Sequence, residues 1–133
     1  MQPIDILSII CRWQDNMIIP KKQCWLNTTW GTLYKWSIFQ KTKFPARLHD
    51  DNSTLHKIYW NAKKIGLTLF YGHFYRQGGA ITNGGLYKNT DMILAHKDRL
   101  QFVTDVVQDK NCIDNEKCWY LYTCIKTYKQ LKN

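Results

Sequence analysis

The sequence lacks the short motifs that mark common catalytic and metal-binding sites. It contains no CxxC pair, no pair of histidines separated by one apolar residue, no P-loop and no Gly-x-Ser-x-Gly stretch. Among its five cysteines, Cys112 and Cys118 are six residues apart, which is a poor spacing for a structural zinc site. We therefore expect no enzymatic activity, no cofactor and no bound metal.

Long hydrophobic runs are also missing. The longest apolar stretch is far too short to span a bilayer, and MQPIDILSIICRW at the N-terminus has no basic region before its apolar residues. We expect neither a membrane segment nor a secretory signal. The odd number of cysteines then favours reduced thiols and an intracellular setting, and a nuclear one if the source is a eukaryotic virus.

Acidic residues are few. The chain has 10 Asp and Glu against 19 Lys and Arg, which leaves a formal net charge of +9. This excess favours a nucleic acid as the partner, although it also serves solubility alone. The length of 133 residues and the hydrophobic content of 44% fit one domain, residues 1–133, with a core of its own.

Hydrophobic spacing predicts a mixture of helices and strands. The most regular helix lies near residues 53–65, where apolar side chains recur every three or four positions after a possible N-cap, Ser53. An N-terminal helix should pack through Ile6, Ile10 and Trp13, and a third helix should follow a capping box at Asp98 and Gln101. The predicted helices cover residues 3–13, 53–65 and 99–110. The predicted strands cover residues 32–39, 67–76, 92–95 and 118–128.

This order predicts an α+β, ferredoxin-like βαββαβ fold with a four-stranded antiparallel sheet and an extra N-terminal helix. Right-handed crossovers would place strands one and three side by side at the centre of the sheet. The loop that enters strand one would then lie beside the loop that leaves strand three. Two polar segments about 70 residues apart would form one surface.

That surface is the predicted site of nucleic-acid binding. Lysine and arginine can hold phosphates or read guanine edges, while asparagine and threonine bind phosphates. The predicted residues are Asn27, Thr28, Thr29, His96, Lys97 and Arg99, with Lys21 and Lys22 extending the surface. The alternative is structural: the basic residues of His96–Arg99 would then only cap and solubilise the start of a helix.

Three stretches resemble the origin-binding domain of polyomavirus-type large T antigens. IDILSII resembles its first helix, LNTTWGTLYKWSIF its first DNA-binding loop running into strand one, and ILAHKDRLQFVTDVVQ its second DNA-binding loop. The resemblance implies sequence-specific binding of duplex DNA. The chain differs in having Thr28 and Thr29 where the family's first loop has an arginine. The broader expectation is a non-enzymatic DNA-binding protein of viral or mobile-element type.

Two other functions stay open. An RRM-like RNA-binding protein has the same element order, but the predicted third strand has no aromatic residue for base stacking, and strand one offers only Tyr34 and Trp36. A small viral interaction protein that antagonises a host factor would also suit an aromatic-rich chain. A contiguous positive face would favour nucleic acid, and an apolar patch would favour a protein partner.

Overall fold

Helices make up the regular structure of the computed structural model, which describes residues 2–11, 28–29, 31–46, 49–66 and 85–132. We number the helices α1 (Pro3–Cys11), α2 (Trp36–Phe39), α3 (Asp50–Asn61), α4 (Gly85–Phe102) and α5 (Lys110–Leu131). A π-helical turn, Val103–Val107, directly continues α4. None of the described helices is long and apolar enough to cross a membrane.

The predicted ferredoxin-like sheet is wrong. Residues 92–95 lie within α4, residues 118–128 lie within α5, and residues 32–39 form an irregular segment followed by α2. Residues 67–76, the predicted second strand, lie outside the described residues. With strands one and three absent from the described chain, the sheet that was to bring two loops together does not form there.

Helix α5 shows why the strand prediction failed. Its buried side chains are Cys112, Glu116, Thr123 and Thr127, which recur at helical spacing but are mostly polar. The threonine hydroxyls donate to backbone carbonyls four residues earlier, so they need no partner on another helix. Over residues 118–128, aromatic and β-branched residues alternate with a period of two, as in a strand. The buried positions of α5 recur with the period of a helix instead, so the alternation does not mark its buried face.

Four helices enclose the core in a ring. Helix α1 packs against α3 and α5, and α4 packs against the same two helices from the other side. The side chains of Ile6 and Leu7, adjacent residues of α1, belong to two different buried clusters. Ile6 and Ile10 pack with Leu55, Ile58 and Tyr59 of α3. The expected packing of α1 through Ile6 and Ile10 is thus observed, while Trp13 lies outside the described residues.

The second buried cluster joins α1 to the hairpin formed by α4 and α5. Leu7 and Cys11 pack against Val103 and Cys112. Near the open end of the hairpin, the Asn89 side chain is hydrogen-bonded to that of Gln130. Contacts at both ends establish that α4 and α5 run antiparallel.

Helix α1 begins at Pro3 as predicted, whereas the two predicted N-caps further along the chain are wrong. The amide N–H of Gln2 donates to the Asp5 carboxylate at 3.0 Å, and Pro3 occupies the first position of α1. Helix α3 begins before the predicted cap, so the Ser53 hydroxyl is inside the helix and donates to the His49 carbonyl. Asp98 is likewise inside α4, so the predicted capping box is wrong.

The turn between α4 and α5 ends the first helix and starts the second. The N–H of Gln108 donates to the Val103 carbonyl at 2.8 Å, five residues back, and Gln108 has a left-handed backbone with φ of 57°. The Asp109 carboxylate then accepts from the N–H of Cys112 at 2.8 Å. Asp109 is therefore the N-cap of α5.

We expect Asp109→Ala to lower the free energy of unfolding by about 1 kcal/mol, because the first turn of α5 loses the acceptor for a backbone N–H. Asp109→Ser keeps a capping oxygen and should lose clearly less. Urea unfolding followed by circular dichroism measures both. Equal losses in the two variants would contradict a capping role for Asp109.

Candidate functional site

The residues of α4 that were predicted to bind DNA differ in their exposure to solvent. His96 and Arg99 are 6% and 3% exposed, whereas Lys97 between them is exposed on α4. All three lie within α4 rather than in a loop before a helix. Of this group, only Lys97 is presented to a ligand at the surface. Its proposed contact with DNA stays a prediction.

A buried carboxylate accounts for the position of His96 and Arg99. Glu116 of α5 has no exposed surface, and its two oxygens have different partners. Oε1 lies 2.6 Å from Nδ1 of His96, and Oε2 accepts from Nε of Arg99 at 2.7 Å. His96 and Arg99 are three residues apart on α4, so both point to the same side of that helix.

Glu116, His96 and Arg99, which we call the charge cluster, are shielded from solvent. The Trp119 ring stacks on the His96 ring at 5.8 Å between centroids, with an angle of 7° between the ring planes. Burial by itself lowers the pKa of Arg99, but Glu116 outweighs burial and raises it, so the guanidinium stays charged. The arrangement joins α4 to α5 through buried side chains.

Two thiols near the charge cluster are buried. Cys11 and Cys112 are both buried in the same apolar cluster. Their mutual hydrogen bond, together with burial, raises the pKa of the Cys11 thiol. The thiolate form, which is the nucleophile and metal ligand, is thereby disfavoured. Among the described residues, no group of three or more His, Cys, Asp or Glu side chains is arranged to hold a metal ion.

A disulfide between Cys112 and Cys118 does not fit this structure. Both residues belong to the same helix, and six helical residues separate their Cα atoms by about 9 Å along the axis. That separation is longer than a disulfide allows. Cys112 is buried whereas Cys118 is exposed, so the two thiols also face different sides of α5.

Replacing Glu116 with Leu should lower the free energy of unfolding by about 3–5 kcal/mol, because His96 and Arg99 would keep buried polar groups without their acceptor. The triple variant His96→Leu, Arg99→Met, Glu116→Leu removes all three polar groups together. We expect its stability to return close to that of the original chain. Denaturant unfolding tests both, and a triple variant as unstable as the single one would contradict this account.

His56 of α3 is a second buried titratable group near the charge cluster. It is 1% exposed, and its ring makes an edge contact with Phe102 of α4 at 5.1 Å between centroids. Burial, and then the positive charges of Arg99 and Lys57, lower the pKa of His56 well below its usual 6.5. The folded protein therefore keeps this imidazole neutral.

This burial predicts a loss of stability in acid. Above about pH 6.5 the imidazole is neutral in both folded and unfolded chains, but below it only the unfolded chain gains a proton readily. At pH 5.5 we expect a loss of about 1 kcal/mol relative to pH 7.5 from this residue. Comparing His56→Leu with the original chain by urea unfolding at both pH values isolates the effect. An identical pH dependence in the two proteins would contradict it.

An open cleft lies elsewhere, between residues 32–41, which include α2, and the C-terminal end of α3. Its volume is about 900 Å³. Two segments of chain bring four exposed lysines to it, Lys35 and Lys41 from one wall and Lys63 and Lys64 from the other. No Asp or Glu is among the described residues that line it.

The cleft combines positive charge with hydrogen-bonding and aromatic groups. Thr32, Ser37, Gln40 and Asn61 provide polar side chains along the walls. Tyr34 and Tyr59 belong to the lining as well as to the core beneath. Burial is the main cause that raises the pKa of both tyrosines, so their hydroxyls stay protonated donors. The arrangement suits an anionic ligand that also accepts hydrogen bonds.

The sequence prediction missed these four lysines as a group. The predicted elements place Lys63 and Lys64 in the last turn of the helix 53–65, and Lys41 just after the strand 32–39. Each placement explains its charges locally, while the cleft brings together two pairs of lysines more than 20 residues apart. The available signal was the lack of acidic residues over residues 31–46.

The remaining predicted residues do not belong to the cleft. Thr28 and Thr29 are half-buried and are not among its lining residues. Lys97 does not line it either. Asn27, Lys21 and Lys22 lie outside the described residues.

Comparison with known proteins adds no relative. No protein-family model, no curated protein and no solved structure matches this chain.

Proposed function

We propose that this protein binds the phosphate backbone of duplex DNA at the cleft lined by Lys35, Lys41, Lys63 and Lys64, which we call the lysine cleft. The observation that supports this most directly is the convergence of Lys35, Lys41, Lys63 and Lys64 on one cleft without a described acidic lining residue. Lysine side chains near a polyanion release its counterions, which provides affinity without reading sequence. The net charge of +9 adds long-range attraction.

The residue types favour phosphate contact over base recognition. Lysine is a mobile point charge, whereas arginine has the planar fork that reads guanine in two places at once. Arg99, proposed from the sequence as a base reader, directs its Nε to Glu116 inside the protein. We therefore propose binding that depends on charge, and we assign no base contact to Arg99.

The resemblance to an origin-binding domain supports one part of this proposal. Residues 26–39 resemble the family's first DNA-binding loop, and Thr32 to Ile38 of this stretch contribute to the cleft. The family's loops stand on a sheet, which the described residues do not form. We accordingly propose a DNA-binding protein of viral or mobile-element type without proposing recognition of an origin.

Duplex DNA is favoured over RNA because the aromatic rings that line the cleft are not exposed for stacking; Trp36 of α2 is 77% exposed but is not among the lining residues. Tyr34 is half-buried against Phe39, with 5.1 Å between the ring centroids, and Tyr59 is buried. Single-stranded RNA recognition usually requires aromatic rings that stack on splayed bases. Both tyrosines instead pack into the core, where their rings are not available to bases.

The test is the salt dependence of binding to a random duplex. Lys63→Ala/Lys64→Ala should lower the slope of log K against log salt by about two, because two phosphate contacts are lost. Lys117→Ala/Lys129→Ala removes the same charge from α5 and should leave the slope nearly unchanged. Fluorescence anisotropy with a labelled duplex measures both.

Three outcomes would contradict the proposal. Equal slope changes in the two double variants would indicate that net charge alone drives binding. Tighter binding of single-stranded RNA than of the duplex would favour the RNA alternative. A loss confined to Lys97→Ala would place the interface on α4 instead of at the cleft.

A further inference from the structure

Helix α5 presents large apolar side chains to solvent on the face opposite its buried side. Leu121, Ile125 and Tyr128 are 58%, 55% and 57% exposed, and Cys118 precedes them as another exposed residue. We call Cys118, Leu121, Ile125 and Tyr128 the outer seam. Isolated exposed apolar residues are ordinary, but a continuous row of them marks an interaction site.

The spacing of the outer seam is that of a helix-pairing surface. Its members are separated by three, four and three residues, the alternation found at the a and d positions of a heptad. Leu121, Ile125 and Tyr128 also match the i, i+4 and i+7 anchors by which one helix docks along another. Tyrosine is well suited to such contacts because it buries a large ring at low entropic cost.

The charge around the seam is of one sign. From Lys117 to the last residue the chain has no Asp or Glu, while its lysines are Lys117, Lys126, Lys129 and Lys132. Lys117 and Lys129 flank the seam at heptad g and e positions, and the ammonium group of Lys132 lies 4.9 Å from the centroid of the Tyr128 ring. One counter-charge lies on α5 itself, where the Asp114 carboxylate is 3.6 Å from the Lys117 ammonium.

From this seam and its charge we propose that α5 docks an acidic amphipathic helix of a partner protein. Apolar residues of that helix would cover the outer seam, and its flanking Glu or Asp residues would meet Lys117 and Lys129. A second copy of this chain is a poor fit, because pairing the two seams would bring lysines against lysines. A lipid surface is the remaining alternative, because lysines that flank an apolar row also meet anionic headgroups, and the vesicle experiment below distinguishes it.

The test uses a synthetic 21-residue peptide with Leu and Ile at a and d and Glu at e and g, beside a matched peptide with Lys at e and g. Fluorescence anisotropy with the full chain should detect the Glu peptide only, with affinity that falls as salt rises. Leu121→Glu/Ile125→Glu should weaken binding at least tenfold. Val106→Glu, an exposed apolar site outside α5, should leave it unchanged. Lys117→Glu/Lys129→Glu should reverse the preference toward the Lys peptide.

Each alternative occupant has its own readout. Equal binding of both peptides, or none, would overturn the proposal. So would a dimer in sedimentation experiments that Leu121→Glu/Ile125→Glu dissociates, since the occupant would then be a second copy. Seam-dependent binding to vesicles of phosphatidylserine and phosphatidylcholine, without binding of the Glu peptide, would assign the seam to a lipid surface. Circular dichroism of each variant verifies that the helices are retained.

Discussion

The buried carboxylate of Glu116 is the constraint on which the packing of α4 against α5 depends. A carboxylate without exposed surface is costly unless its charge is paired and its oxygens accept hydrogen bonds. His96 and Arg99 meet that need from adjacent turns of α4, which determines both the register and the rotation of the two helices. Changing the register of the hairpin by a few residues would leave three polar groups buried without partners.

The same interaction explains the unusual distribution of residue types on α5. The inner face is given to Glu116 and two threonines, while leucine, isoleucine and tyrosine occupy the outer face. A helix stabilised only by burial of apolar surface would have the opposite pattern. Pairing with α4 thus depends strongly on hydrogen bonds and charge, and Leu121, Ile125 and Tyr128 of α5 are left exposed to solvent.

Positive charge is divided between an interior and an exterior role. Arg99 serves the core, where Glu116 maintains its charge, and the exposed lysines provide the excess that acts on ligands. The lysine cleft and the outer seam are built from different elements, the segment 32–41 with the end of α3 in one case and α5 in the other. The proposed nucleic-acid ligand and the proposed protein partner are therefore assigned to separate surfaces.

The sequence by itself determined the local and bulk properties. Its composition predicted an anionic partner, the spacing of Leu55, Ile58 and Tyr59 predicted α3, and Ile6 and Ile10 were correctly placed in the core. The inferences about α3, Ile6 and Ile10 held because they depend on period and hydrophobicity within one element, whereas the anionic partner stays a prediction. The tertiary structure decided whether residues 92–95 and 118–128 became strands or helices, because aromatic and β-branched runs are compatible with either. It also decided where His96 and Arg99 lie. From the sequence, two basic side chains near a helix predict an exposed site. In the structure, both are buried because they pair with Glu116, which is 17 residues beyond Arg99.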